Sequence, residues 1–448
     1  MLLRCFHTEG LSINSYLVGD ETTGRAAVID PTIEIESYIQ FASKEKLKIT
    51  DILETHVHAD FISGALKLKQ YLGNCPTIHC SALGGEKWIP YYADQAFQQG
   101  HLVNLGNIRL EAIHTPGHTP EHVMWLCFDD KRSPESPCLA FSGDCLFVGS
   151  VGRPDLLGKE EVEHLAKLLY HTLFVELTKL PDFLEIFPAH GAGSLCGKGL
   201  SARPSTTLGY ERMFNPYLTK HPEDEWLQDL LADMPSAPPN FQTIKQLNVS
   251  KAVFQVSPVT MAVDVRHPLN FAKGHIQGAL NIPLGPSFCN WAASVIPPGA
   301  RLEIFAENVE QLNHAKRNLA LIGLDQIVGE KIWSHLGEQE RSKIEILPLV
   351  SVEEVAQKLK NSPKSFYILD VRTPAEWKEG HIKEAHWLEL SKIRLEKDKL
   401  PSPSTSIYVI CGSGYRSSVV ASFLKNSGYE NVSSIWGGMT AWKAQDFS

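Results

Sequence analysis

Thr55-His56-Val57-His58-Ala59-Asp60 follows an apolar run and sets two imidazoles and a carboxylate close together. Three later stations carry the same chemistry. They are His114-Thr115-Pro116-Gly117-His118-Thr119, Phe141-Ser142-Gly143-Asp144 and Phe187-Pro188-Ala189-His190-Gly191. Imidazole and carboxylate suit zinc, iron or manganese. Each station sits beside a Gly or Pro turn or in a loop, so the side chains can converge. One histidine after a strand would be an ordinary core or surface residue. Four stations in order read as a metal centre.

A second chemistry stands near the other end. Tyr408-Val409-Ile410 reads as a buried strand entering Cys411-Gly412-Ser413-Gly414-Tyr415-Arg416-Ser417-Ser418, and a helical run continues through Leu424. A strand, a tight loop of small residues and a helix start make a nest of backbone N–H groups. That nest, with Arg416, would stabilise an anion on the Cys411 sulfur. A persulfide there is the covalent intermediate expected of sulfur transfer. Gly412, Ser413, Gly414 and Tyr415 would line the substrate side.

These residues need elements to position them. Strand-like runs at Ala26–Ile29, Ile52–Leu53, Ile108–Ile113, Val123–Phe128, Leu139–Phe141 and Leu184–Phe187 alternate with helix-like periods at Ile33–Lys44, Ala65–Leu72 and Val162–Leu177. The His and Asp stations fall just after several of these strands, where α/β proteins carry their chemistry. Residues 200 to 245 are punctuated by prolines and read as an extension and a linker. Beyond them the chain repeats itself. Val263-Asp264-Val265-Arg266-His267-Pro268 matches Leu369-Asp370-Val371-Arg372-Thr373-Pro374, and Gly274-His275-Ile276 matches Gly380-His381-Ile382, at a constant offset of 106 residues. That period fits two small α/β domains. The same offset carries Cys411 onto Phe305 and Arg416 onto Glu310, so the first copy lacks a nucleophile and its cradle. The expected domains are 1–240, 241–345 and 346–448.

The 448-residue chain has a net charge of −9, which speaks against nucleic-acid and anionic-membrane partners. It contains no apolar run of transmembrane length and no signal-peptide start. Its nine scattered cysteines, without a CxxC pair, read as reduced thiols. A cytoplasmic location and a homo-oligomer are expected.

The series HxHxD, PGHT, GD and PAHG over residues 11 to about 195 resembles the metallo-β-lactamase fold, which implies an αββα architecture. The Cys411 loop, Asp370-Val371-Arg372, Gly380-His381-Ile382 and Gly437-Gly438-Met439-Thr440-Ala441-Trp442 resemble the rhodaneses, and the repeat makes two such α/β domains. Cysteine phosphatases use a loop one residue longer for a tetrahedral oxyanion; four residues between Cys411 and Arg416 suit one sulfur atom. Binuclear hydrolases of the first fold continue as HxHxDH, whereas Phe61 follows Asp60 here, so a second metal loses a ligand. The chain thus resembles persulfide dioxygenases fused to sulfurtransferases. The resemblance implies one Fe(II) held by His56, His118 and Asp144, with His58, Asp60 and His190 orienting ligands or solvent. Arg153, in Gly152-Arg153-Pro154-Asp155, would bind a substrate carboxylate or phosphate, or close a salt bridge with Asp155. Cys196, in the Gly-rich stretch after His190, would handle persulfide sulfur, or belong to a plain turn. The implied partners are O2, a small thiol persulfide, sulfite and thiosulfate. The alternative is a zinc thioester hydrolase of the glyoxalase II type with sulfurtransferase modules attached.

Overall fold

Several strands of the first unit, Ile13–Asp20 and Val123–Asp129 among them, are buried along their whole length. In the computed structural model the described residues are all but 159, 220, 221, 233, 235, 252–255, 363, 364 and 446–448. They form two units, Met1–Met234 with Phe241–Val253, and Pro235–Asn240 with Phe254–Ser448.

The first unit has two six-stranded sheets. Strand Ile13–Asp20 shows why its apolar run is continuous. Tyr16 and Val18 pack against the second sheet with Leu110, Ala112 and Trp125, while Leu17 packs outward with Tyr38 and Ala42 of helix Glu36–Lys44. Strand Arg25–Ile29 alternates in the same way, Ala27 and Ile29 inward, Ala26 and Val28 outward. On the far side, Met124, Leu126 and Ile186 of the second sheet meet Ala166, Leu169 and Leu173. The layers are therefore helix, sheet, sheet, helix, held by three apolar interfaces. The expected first domain runs to 240, its last part an extension and a linker. In the structure, helices Leu208–Phe214, Glu223–Leu231 and Phe241–Val249 all belong with the first unit. Asn248 of the last donates to the carbonyls of His58 and Phe61 and accepts from the Ser63 N–H, which ties that helix to the metal-station loop.

The second unit contains both repeats. Each is built on a parallel sheet, in the order Leu280–Asn281, Thr260–Asp264, Arg301–Ala306, Ile327–Ile332 for the middle module. The third module has Leu349–Val350, Val432–Ile435, Ile407–Ile410, Tyr367–Asp370 and Ala385–Trp387. The repeated Asp and Arg do the same work twice. Arg266 forks onto Asp264 and the Gly274 carbonyl, and Arg372 onto Asp370 and the Gly380 carbonyl. Both pairs are buried, and each guanidinium locks its strand end to the following loop. Among the described residues no helix is long and apolar enough to cross a membrane.

Candidate functional site

His56 lies near the start of the loop that leaves strand Lys48–Leu53. The Thr55 hydroxyl donates to Asp30 Oδ2 at 2.8 Å, so its oxygen accepts from His56 Nδ1 at 2.9 Å. The His56 Nε2 lone pair then faces Asp144 Oδ2, 3.9 Å away. His118 is oriented in the same manner. Its Nδ1–H donates to the Arg153 carbonyl at 2.9 Å, which leaves Nε2 3.3 Å from Asp144 Oδ2. Burial holds both imidazoles below their ordinary pKa, hence neutral, the state a metal ligand requires. Asp144 Oδ2 is buried and makes no hydrogen bond among the described residues, an arrangement that fits a cation between the three groups.

The other oxygen of Asp144 is occupied. His190 donates from Nδ1 to Asp144 Oδ1 at 2.8 Å and from Nε2 to Asp60 Oδ2 at 2.9 Å. Burial opposes protonation of this ring, but Asp144 and Asp60 raise its pKa to about 10. His190 thus bridges the two carboxylates. Cys196 lies in this cluster; its thiol, the Asp60 carboxylate and a His190 ring nitrogen fall within 4.8 Å of one another. Its stretch is well anchored. The Ser12 hydroxyl donates to the Ala192 carbonyl, Ser150 to that of Lys198, and the Arg153 N–H to that of Cys196. Burial pushes the Cys196 thiol well up.

Of the two roles open to Arg153, the structure shows the salt bridge with Asp155. Arg153 does not reach out to substrate. It is 1% exposed, forks onto Asp155 at 2.7 Å through both Nε and Nη2, and donates from Nη1 to the Leu195 carbonyl. It braces the Cys196 loop and, through its own carbonyl, aims His118. His58 has its Nε2 3.3 Å from both Asp30 and Glu54, and Phe61 packs on its ring at 4.2 Å. Burial opposes its protonation, but Asp30 and then Glu54 hold its pKa well above the ordinary value.

Several contributing residues escaped the sequence reading. His122 accepts the Asp144 N–H on Nε2 at 3.0 Å and stacks on His56 at 5.1 Å. Gly143, at φ +52, has room for no side chain, because a Cβ there would lie 2.5 Å from His122 Nε2. Glu121 receives the Val57 N–H and the Thr119 hydroxyl, and burial raises its pKa to about 7. The available signals were the position of Asp30 at the end of an apolar run and the four-residue spacing of His118 and His122.

The Cys411 loop runs between strand Ile407–Ile410 and helix Tyr415–Asn426. The Gly414 N–H points at Cys411 Sγ from 3.2 Å, and Ser417 Oγ lies 3.6 Å away. The Gly437–Gly438 turn closes over it. Met439 and Thr440 donate their N–H groups to the carbonyls of Cys411 and Gly412, and a Cβ on Gly438, at φ +54, would lie 2.4 Å from the former. Ser413 lies in the loop itself. Arg416 flanks Gly412, but it is not free to face an anion alone, since it forks onto Glu376 at 2.7 Å twice.

In the middle module the register corrects the residue opposite the cysteine. Val265 N–H donates to the Phe305 carbonyl as Val371 N–H does to that of Ile410. Phe305 thus corresponds to Ile410, and Ala306 stands in place of Cys411. The helix caps, Asn308 and Gly414, return to the offset of 106, so Glu310 still matches Arg416 and the loop is one residue shorter. The nucleophile is missing all the same.

The Metallo-beta-lactamase superfamily profile matches residues 8–190, and the Rhodanese-like domain profile matches residues 351–445. The mitochondrial persulfide dioxygenase of Mus musculus is 32% identical over 206 residues, 46% of this chain and 71% of that protein. The cytoplasmic hydroxyacylglutathione hydrolase of Arabidopsis thaliana is 34% identical over 190 residues, 42% of this chain and 67% of that protein. A crystal structure of a metallo-beta-lactamase from Staphylococcus aureus subsp. aureus COL is 33% identical and superposes with a TM-score of 0.67, covering 74% of this chain and 98% of that one. With its αββα layers and its buried histidine–aspartate centre, the chain belongs to the metallo-β-lactamase superfamily and carries a rhodanese-like domain in the same polypeptide.

Proposed function

We propose that the first unit oxidises a small thiol persulfide with O2, and that Cys411 moves sulfane sulfur between persulfide, sulfite and thiosulfate. The observation that carries the first half is the three-residue face of His56, His118 and Asp144, with Phe61 beside His58 where a further ligand would be needed. One Fe(II) held by those three residues would supply O2 activation and an open side for a sulfur ligand. The net reaction balances as RSSH + O2 + H2O → RSH + SO3²⁻ + 2H⁺. The protein's own part is orientation. Thr55 and the Arg153 carbonyl hold the two imidazoles with Nε2 inward, and His190 offsets the charge of Asp60 and Asp144.

At the cradle, the Cys411 thiolate takes the terminal sulfur of a persulfide, and the S–S bond of that donor breaks with loss of its thiolate. Sulfite then attacks the outer sulfur on Cys411, releasing thiosulfate and regenerating the thiolate. The Gly414 N–H is aimed to stabilise the anion at Sγ in both steps. A fusion of the two activities raises the local concentration of shared intermediates.

A two-metal thioester hydrolase is the second reading: Asp60, His190 and Cys196 stand close enough to share a cation, provided His190 gives up the ring proton it shares with Asp60. The carrier of the persulfide, among glutathione, coenzyme A and bacillithiol, is left to substrate comparison. Metal analysis of anaerobically purified protein, with O2 consumption on adding a persulfide, tests the proposal. About one iron per chain and rapid uptake are expected; two zinc ions with thioester hydrolysis would replace it by the second reading.

A further inference from the structure

The middle module has no nucleophile, yet it touches the cradle of the third. His267 caps helix Pro268–Lys273 by accepting the Leu269 N–H on Nδ1 at 3.2 Å. The neutral ring therefore carries its proton on Nε2, which donates to the Tyr415 hydroxyl oxygen at 2.8 Å. Tyr415 stands between Gly414, whose N–H points at Cys411, and Arg416.

The repeat shows that this contact is built in. Thr373 occupies the position of His267 in the third module, caps helix Pro374–Lys378, and is joined to Glu376, which holds Arg416. Two successive cradle residues are thus gripped from the same helix cap of the two modules, Tyr415 by His267 and Arg416 through Thr373 and Glu376. The helix behind the cradle is docked by the same partner. Ser418 donates to Asn281 Oδ1 at 2.6 Å, and the Asn281 N–H donates to Ser422 Oγ at 2.9 Å, all of them buried. Around Tyr415 stand two indoles, Trp291 of the middle module at 6.4 Å and Trp436 at 6.3 Å, and Trp436 covers Gly414.

We propose that the middle module is a working part of the sulfurtransferase centre, with His267 as a positioning residue that aims the Tyr415 hydroxyl at the anionic sulfonyl end of thiosulfate. Because that hydroxyl accepts from His267, its own proton is available to an anion. The inference rests on the reading of Cys411 as the sulfur carrier.

The test uses the full chain and measures sulfur transfer from thiosulfate to a thiol. His267→Ala should raise the KM for thiosulfate about fivefold, the size of one lost neutral hydrogen bond, with kcat nearly unchanged. Tyr415→Phe should do the same, and the double variant should add little to either. His267→Gln, which keeps an N–H donor, should recover most of the affinity. O2 uptake with persulfide should stay as in the parent protein, and Tyr415→Phe, which leaves the helix cap intact, should unfold close to the parent's temperature, whereas His267→Ala also loses the cap and with it some thermal stability. Unaltered KM in both single variants overturns the inference, and so does a fall in kcat that tracks a loss of thermal stability, since that marks a merely structural contact. If the parent protein itself transfers no sulfur, the reading of Cys411 fails first, and that result is distinguishable from the others.

Discussion

Replacing Glu376 by Gln tests the cradle through its second layer of contacts. Burial raises the pKa of this carboxyl, but the Arg416 fork and the Thr373 groups outweigh it and hold the pKa at about 2, against an ordinary 4.5. That depression corresponds to about 3.4 kcal/mol of stability at neutral pH before screening. Glu376 is one-third exposed on its side chain, so solvent screening reduces this to about 1–2 kcal/mol. Because the folded pKa lies below the unfolded one, the stabilisation is complete above pH 4.5 and fades as the pH falls towards 2. About three quarters of it should survive at pH 4 and under half at pH 3. Hydrogen exchange of the peptides spanning 373–380 and 415–426, compared between the parent protein and Glu376→Gln, reads the local opening free energy. The two should differ at pH 7 and converge under acid. Arg416 also loses the fork that fixes it beside Gly412, so kcat/KM for sulfur transfer should fall about fivefold to tenfold. Equal exchange at pH 7, or a difference that does not shrink below pH 4, would refute the linkage argued here.

The two chemistries should separate by mutation. Cys411→Ser should keep O2 uptake with persulfide but yield sulfite with little thiosulfate, and should abolish all sulfur transfer, since Ala306 offers the middle module no nucleophile. His118→Ala should lose iron and O2 uptake while retaining sulfur transfer; simultaneous loss of both activities in a folded variant would join the sites. Cys196→Ser should lower persulfide oxidation with iron content unchanged, and full activity would reduce its loop to a scaffold. Phe61→His should raise the bound metal above one per chain when zinc is supplied; unchanged stoichiometry would mean that Phe61 is not what limits the site.

His56, His118, Asp144 and His190 stand out in the sequence because each follows a strand within four residues, beside a turn, and local chain geometry places such residues at one edge of a sheet. Cys411 was visible because its loop is a contiguous piece of backbone, whose nest depends on small residues and little else. Arg153 was legible only as two alternatives, and the difference lay in burial: an arginine 1% exposed must satisfy its donors internally, and Asp155 and Leu195 do so. The one-residue slip in the middle module, Ala306 for Phe305, could not be read from a constant offset. It lies in the pairing with strand Thr260–Asp264, and a loop can shorten without disturbing either neighbouring element.

What the order of residues marked out, then, was the metallo-β-lactamase and rhodanese-like modules, the candidate metal ligands and one candidate nucleophilic cysteine, all of which follow from periodicity and short-range spacing. The fold alone decided how those groups are used. It turned His58 towards Asp30 and Glu54, made His190 a bridge between two carboxylates 84 residues apart in the chain (Asp60 and Asp144), and set His267 against Tyr415 across 148 residues. Hydrogen bonds and ion pairs of that separation depend on which buried polar groups are left facing one another after the apolar layers close. No local pattern encodes that outcome.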